Sequence, residues 1–343
     1  MDVYLLADSS AEPAAKCEIV VFGAGPLRGK VSNAARSIGS ISVGLLLICS
    51  LMPAAVNALP AGREFGGRPG ALETRQPGYL PTPFGLAAKQ QVLVVPSGSR
   101  IEGESSVVLP NGTQVTIPAH NTTDPFPDNG WIAYADWTYS ASGYSIGEFD
   151  AAWTLPSAPS SNDGQTIFLF NGLLPSSAGS LLIQPVLQWG VSACGGGAYW
   201  AMASWYVTSS GSYICSSLMS VSYSSISGQM NGYNCKSSNG QCDWVVQGTQ
   251  FQNGNGYTTT LSYSSNSQLD NLALYWATVT LEAYNVAKCS DFPGGEVTFS
   301  DLFFASDVAP WQYPTPSWST VVSDHDCYEA VTVNSPSSVT ITF

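Results

Sequence analysis

The sequence predicts an all-β protein, an antiparallel β-sandwich preceded by a mostly irregular N-terminal region. Three observations carry that prediction. From about residue 126, apolar and polar residues alternate in short runs such as WIAYADWTYS, TIFLF, VSYSSIS, TTTLSYSS, ALYWATVTLEAY and SVTITF. Gly, Asn, Ser and Pro separate the runs, as turns between strands require. No stretch there has the spacing of an amphipathic helix. There is no internal repeat.

Three regions follow from a pass along the chain. Residues 1–58 read as a leader. The apolar run ISVGLLLICSLMP at 41–53 follows Arg28, Lys30 and Arg36, and AAVNA at 54–58 offers small residues for signal cleavage after Ala58. The run is short for a membrane span, so no stable membrane association is expected. Residues before 37 are too long a lead-in for a signal peptide. They read as an extension of the gene model, with an uncleaved anchor as the alternative. Residues 59–125 read as a pro-segment or linker. Its first part, 59–88, is rich in Pro, Gly and Arg and is expected to be disordered. Its second part, QVLVVPSGSRIEGESSVVLPNGTQVTIP at 91–118, breaks into short strands. Asn111 and Asn121 head glycosylation acceptor sequences. Residues 126–343 form the sandwich domain.

Composition narrows the function. The chain has 343 residues, of which only 10% are charged, and its formal net charge is −13. From residue 130 onward Lys236 and Lys288 face fourteen Asp and Glu, a net of −12. A nucleic-acid partner has almost no electrostatic support. Self-repulsion at neutral pH fades as carboxylates protonate, which suits an acidic setting; the alternative is that the low pI serves solubility alone. Beyond the leader, six cysteines remain: Cys194, Cys215, Cys235, Cys242, Cys289 and Cys327. An even count behind a secretion signal implies disulfides, and Cys235–Cys242 across KSSNGQ is the favoured pair. No CxxC pair with His occurs, so neither a metal nor another cofactor is expected.

Several motifs reduce to structure. Gly143-Tyr-Ser145-Ile-Gly147 has the G-x-S-x-G form but no following helix, so it reads as a turn. Glu148 and Asp150 share one strand face and would suit glycoside hydrolysis, but Ala152 stands where a third acid is wanted. Asp324-His325-Asp326 reads as loop chemistry beside Cys327, because adjacent strand residues point to opposite faces.

Two polar residues resist that treatment: Gln188 in VLQWGV and Glu282 in VTLEAY. Their surroundings follow a known order. WIAYADW at 131–137, EFDAAWTLP at 148–156, FLFNG at 168–172, LQWGV at 187–191, SWYV at 204–207, ATVTLE at 277–282 and FPGGEVTF at 292–299 succeed one another. From Asn129 to Phe343 the chain resembles the glutamic peptidases, or eqolisins, secreted acid proteases of fungi. The resemblance implies a concanavalin A-like sandwich, secretion, and a polypeptide substrate. It also implies that Gln188 and Glu282 are catalytic. Glu282 would activate water and then protonate the leaving amine, while the Gln188 carboxamide stabilises the oxyanion. Gln184, four residues earlier on the same strand face, is the alternative to Gln188. Substrate-binding positions carry over to Asn171, Met202, Trp205 and Tyr206. Departures occur there: the family Asp is Asn171, its acid is Ser204, and its two Trp appear as Met202 and Ile167. Rival readings are a carbohydrate-binding or glucanase-like sandwich, suggested by Trp189, Tyr199, Trp200, Trp205 and Tyr206, or an inactive eqolisin-like protein. Oligomeric state is not legible in the sequence.

Overall fold

The computed structural model describes residues 78–103, 105–118, 130–177, 181–208, 211–236, 240–264 and 273–343. Asn121 and the expected leader lie outside them. In chain order the strands are β1 (Tyr79–Thr82), β2 (Gly85–Ala88), β3 (Val92–Val95), β4 (Ser99–Glu102), β5 (Ser106–Val108) and β6 (Gln114–Thr116). Then follow β7 (Trp131–Thr138), β8 (Ile146–Thr154), β9 (Thr166–Leu174), β10 (Leu181–Ser192), β11 (Gly195–Thr208), β12 (Tyr213–Ser216) and β13 (Met219–Ser220). The last are β14 (Ser225–Lys236), β15 (Gln241–Gln252), β16 (Asn255–Tyr263), β17 (Trp276–Tyr284), β18 (Glu296–Ser306), β19 (Ser319–Val322), β20 (Ala330–Ser335) and β21 (Ser338–Thr342). Helix is confined, among the described residues, to 3-10 turns at Lys89–Gln91 and Cys289–Asp291. No helix there is long and apolar enough to cross a membrane.

Two sheets make the predicted sandwich. The first runs β19-β7-β17-β9-β10-β11-β12-β3, with β13 beside β11. The second runs β20-β21-β18-β8-β14-β15-β16-β4-β5-β6. Pairing is antiparallel except where the N-terminal strands join: β3 adds parallel to β12 and β4 adds parallel to β16. The segment 91–118 therefore extends both sheets, and its Val95, Ile101, Val107 and Ile117 are buried in the central core. The Pro- and Gly-rich stretch expected to lack order forms, from residue 78, the β1–β2 hairpin.

The core between the sheets is built by strand alternation. Phe149, Ala151 and Trp153 on β8 face inward, as do Ile226 and Met230 on β14. Phe149 stacks on Phe304 with ring centroids 4.3 Å apart. Gly248 is needed for close packing, since a Cβ there would lie 2.4 Å from Met202 Sδ. Three disulfides, Cys194–Cys215, Cys235–Cys242 and Cys289–Cys327, close the six predicted cysteines into pairs. A second apolar cluster holds Trp131, Phe168, Phe170, Leu182, Val186, Trp205, Trp276 and Tyr284. Its members come from the first sheet and the β1–β2 hairpin, so it marks the face of that sheet turned away from the second. We call it the outward face of the first sheet.

Candidate active site

Strand register places the two singled-out polar residues in one row. Gln188 on β10 pairs with Phe168 on β9, and Phe168 pairs on its other side with Glu282 on β17. Paired residues share a face, so Gln188, Phe168 and Glu282 all lie on the outward face. They do not lie on neighbouring strands: β9 runs between β10 and β17. Two strand spacings separate their backbones by about 10 Å.

Glu282 is fully buried. Tyr284 Oη donates to its Oε1 at 2.5 Å, and the Gly130 N–H donates to Oε1 at 3.3 Å and to Tyr284 Oη at 3.1 Å. Gly130 must be glycine here, because a Cβ would lie 2.7 Å from the Ala283 carbonyl oxygen. Burial pushes the Glu282 pKa up to about 8, against the lowering effect of Tyr284, Gly130, Gly85 and Trp131. The Gly85 and Trp131 N–H groups are near enough to lower the pKa, yet among the described residues Oε2 makes no well-formed hydrogen bond, so these contacts are loose. Among the described residues, no cation is placed to offset a charge there. The same burial raises the Tyr284 phenol well above its ordinary value.

Gln188 is held by the β10–β11 connection. Its Nε2 donates to the carbonyls of Gly190 (3.1 Å) and Gly195 (3.0 Å), and its Oε1 accepts from Ser192 Oγ (2.9 Å). A bulge between Trp189 and Gly190 makes this possible. Gly190 has φ +90°, and a Cβ on it would lie 2.1 Å from the Gln165 carbonyl oxygen. Both amide hydrogens of Gln188 are thus engaged. Gln184 lies on the same face, also fully buried, and donates from Nε2 to the Pro83 carbonyl at 2.9 Å. Its Oε1 has no hydrogen-bond partner among the described residues.

The expected substrate-binding residues separate by strand parity. Trp205 pairs with Gln184 and shares the outward face. Met202 and Tyr206 belong to the central core, on the opposite side. Asn171 also faces inward, donating to the Gly228 carbonyl at 3.3 Å. Ser204 turns the same way, its Oγ donating to the Val246 carbonyl at 2.9 Å. These inward residues cannot line a site shared with Gln188 and Glu282, and that assignment is corrected for Asn171, Met202 and Tyr206. Asn111 is exposed in the turn between β5 and β6, where its Oδ1 accepts from the Thr113 N–H. Of the rings that suggested carbohydrate binding, Trp189, Trp200, Trp205 and Tyr206 are buried and Tyr199 is exposed. Gly143 lies in a turn, and Ile146 and Gly147 already belong to β8, with no helix following. No group of three or more His, Cys, Asp or Glu among the described residues is placed to hold a metal.

The sequence reading missed three contributors: Tyr284, Gly130 and the tip of the hairpin. Tyr284 follows Glu282 by two residues, so strand parity alone put it on the same face.

No protein-family model matches the sequence, and no curated protein does. Solved structures give distant likenesses. A scytalido-glutamic peptidase bound to a peptide-based transition-state analogue is 14% identical, covers 63% of this chain and 98% of its own, and has a TM-score of 0.41. SCP-B, an eqolisin-family peptidase complexed with the tripeptide Ala-Ile-His, has the same identity and coverage with a TM-score of 0.40. The CBM2 module of the evolved Dit of Lactobacillus casei BL23 phage J-1 is 11% identical over 55% of this chain and 75% of its own, with a TM-score of 0.30.

Proposed function

We propose that the chain is the precursor of a secreted acid endopeptidase of glutamic type. One observation carries the reading: a buried carboxyl with no cation beside it among the described residues, Glu282, shares a cross-strand row with a carboxamide, Gln188. Burying such a carboxyl is unfavourable by several kcal/mol unless it is neutralised or paired, so it marks a functional site.

The chemistry follows from the two groups. Ionised Glu282 takes a proton from water as the oxygen attacks the peptide carbonyl carbon. Gln188 turns its amide from the Gly190 and Gly195 carbonyls to the developing oxyanion. Glu282 then gives its proton to the amine nitrogen as the C–N bond breaks. Under the hairpin Glu282 has a pKa of about 8 and is protonated at acid pH, so it is a poor base. Uncovering it restores water and lowers the pKa toward the ordinary carboxyl range. The division of roles comes from the family resemblance; the geometry supports its placement on one face.

Maturation is read from the same facts. The leader, residues 1–58, is removed on secretion into an oxidising space, where the three disulfides persist. Release then extends only to about residue 91, because β3 to β6 extend both sheets and bury core side chains. The glycan acceptor at Asn111 stays with the mature protein.

Denatured casein at pH 3–4, with pepstatin present, provides the test. Glu282→Gln should remove hydrolysis while leaving the circular dichroism unchanged. Gln188→Ala should lower turnover by about 10²-fold, the usual scale for one oxyanion donor. Undiminished hydrolysis by Glu282→Gln would reject the mechanism.

A further inference from the structure

The β1–β2 hairpin is inverted relative to ordinary hairpins. Tips of hairpins run over the surface. Here the two turn residues, Pro83 and Phe84, are buried, together with Pro81, Thr82 and Gly85, while Gly78 and Lys89 at the open end are exposed. The turn is locally well specified. Pro83 supplies the fixed φ of the first turn position, Gly85 takes φ +110°, and Thr82 Oγ1 donates to the Gly85 carbonyl at 2.8 Å. The Lys89 N–H closes the open end on the Gly78 carbonyl at 3.0 Å.

Three main-chain groups of this tip meet the outward face at separate points. The Ala193 N–H donates to the Pro81 carbonyl at 2.9 Å. Gln184 Nε2 donates to the Pro83 carbonyl at 2.9 Å. The Gly85 N–H lies toward the Glu282 carboxyl. Between the last two, the Phe84 ring meets Trp131 edge-on, with centroids 6.2 Å apart, in the cluster that holds Phe168 and Tyr284.

From this arrangement we propose that the hairpin is a tethered pseudo-substrate, and that its contacts assign the peptide subsites of the face. Gln184 and the Ala193 N–H receive main-chain carbonyls of a bound polypeptide, and the socket against Trp131 receives a large apolar side chain, preferably aromatic. This deepens the peptidase reading and rests on it. Gln184 thereby takes a binding role distinct from that of Gln188. The tip occupies the face without being a good substrate: it is a turn, whereas hydrolysis needs an extended chain, and prolines at 81 and 83 fix it in that form.

The test uses the full chain carrying Phe84→Ala, alone and combined with Glu282→Gln. A synthetic peptide of residues 78–91 is titrated while tryptophan fluorescence is followed, since Trp131 reports the socket. Saturable binding is expected to both variants and not to the parent chain, whose own hairpin fills the face. The same peptide with Phe84→Ala should bind about 10-fold more weakly or worse. Against casein, Phe84→Ala should work about 10-fold faster than the parent, and the peptide should suppress the gain. Peptide binding without casein hydrolysis by Phe84→Ala supports the docked hairpin and removes the peptidase reading. No peptide binding, with hydrolysis equal to the parent's, overturns the hairpin proposal and leaves the peptidase reading standing. If Phe84→Ala fails to fold, Gln184→Ala is examined by hydrogen exchange. Amides of Leu80, Thr82 and Leu86 should then exchange about 10-fold faster while those of β9 are unchanged; unaltered hairpin exchange overturns the proposal.

Discussion

On β9 and β17 every residue is buried, whereas on most of β14 buried positions alternate with half-open ones. The strands belong to opposite sheets, and the difference lies in their outward faces. The first sheet turns out Phe168, Phe170, Leu174, Trp276 and Glu282, and the hairpin reaches across them. The second turns out Asp150, Gln229 and Gln247, which pair in one row and bond to one another. One face stores a carboxyl in an apolar setting; the other spreads its polar groups over water and a hydrogen-bonded ladder. A carboxyl at an outward strand position is therefore a different chemical object on the two sheets. Cover, not strand position, decides its pKa and its use.

Core-like substitutions should break this contrast most visibly. Phe170→Ala deletes a fully buried ring from the covered face. It should destabilise the chain by about 3–5 kcal/mol, the range for a phenylalanine cavity. Urea unfolding measures it. A loss below about 1 kcal/mol would mean that the outward face of the first sheet is not a packed core.

Acidity should separate the faces next. The Glu282 pKa is raised to about 8, mainly by burial. A raised carboxyl pKa adds stability that is complete below the unfolded value and lost as pH rises through about 8. The covered chain should thus melt at a higher temperature near pH 4.5 than near pH 8. Glu282 alone accounts for a difference on the order of a few kcal/mol. Asp136, Glu148, Asp150 and Glu329 are raised as well, chiefly by burial, and act in the same direction. Asp136, Glu148 and Asp150 are partly exposed and contribute less. Calorimetry on Glu282→Gln should show a much flatter dependence. An unchanged slope would place the sensitivity in the other carboxyls.

The contrast also explains what the sequence revealed. On β8 the alternation of IGEFDAAWT displayed the inward face directly. On β9, TIFLFNGLL is buried on both faces and shows no alternation, so nothing local revealed that Asn171 faces inward. Gln184 and Gln188 were tied to one face by their spacing, but nothing local showed which hydrogen bonds each makes. Those depend on the Gly190 bulge for one and on a segment about a hundred residues away for the other. Cys235–Cys242 was legible because its sequence separation is only 7; the other two disulfides span separations of 21 and 38 and were not. The hairpin was hidden by composition. Its Pro and Gly read as disorder, although YLPTPFGLA carries a turn between two short apolar arms.

The smallest predicted effect tests the polar face. Gln229 sits mid-ladder: its Nε2 donates to Asp150 Oδ2 at 3.2 Å and its Oε1 accepts from Gln247 Nε2 at 3.1 Å. Burial raises the Asp150 pKa, and the Gln229 bond opposes that rise. Gln229→Ala removes the opposing bond, so the Asp150 pKa should climb further, seen as a later midpoint in a carbon-detected NMR titration. Stability at neutral pH should fall by about 1 kcal/mol, because water can replace the lost partners at a half-open position. The penalty should shrink as pH drops and Asp150 protonates, since a neutral carboxyl has less need of the amide donor. Gln247 keeps Thr249 Oγ1 as a second acceptor at 3.2 Å, so the rest of the row should hold. A loss comparable to that of Phe170→Ala would show that this ladder is as much a core as the covered face, and the two outward surfaces would no longer differ in kind.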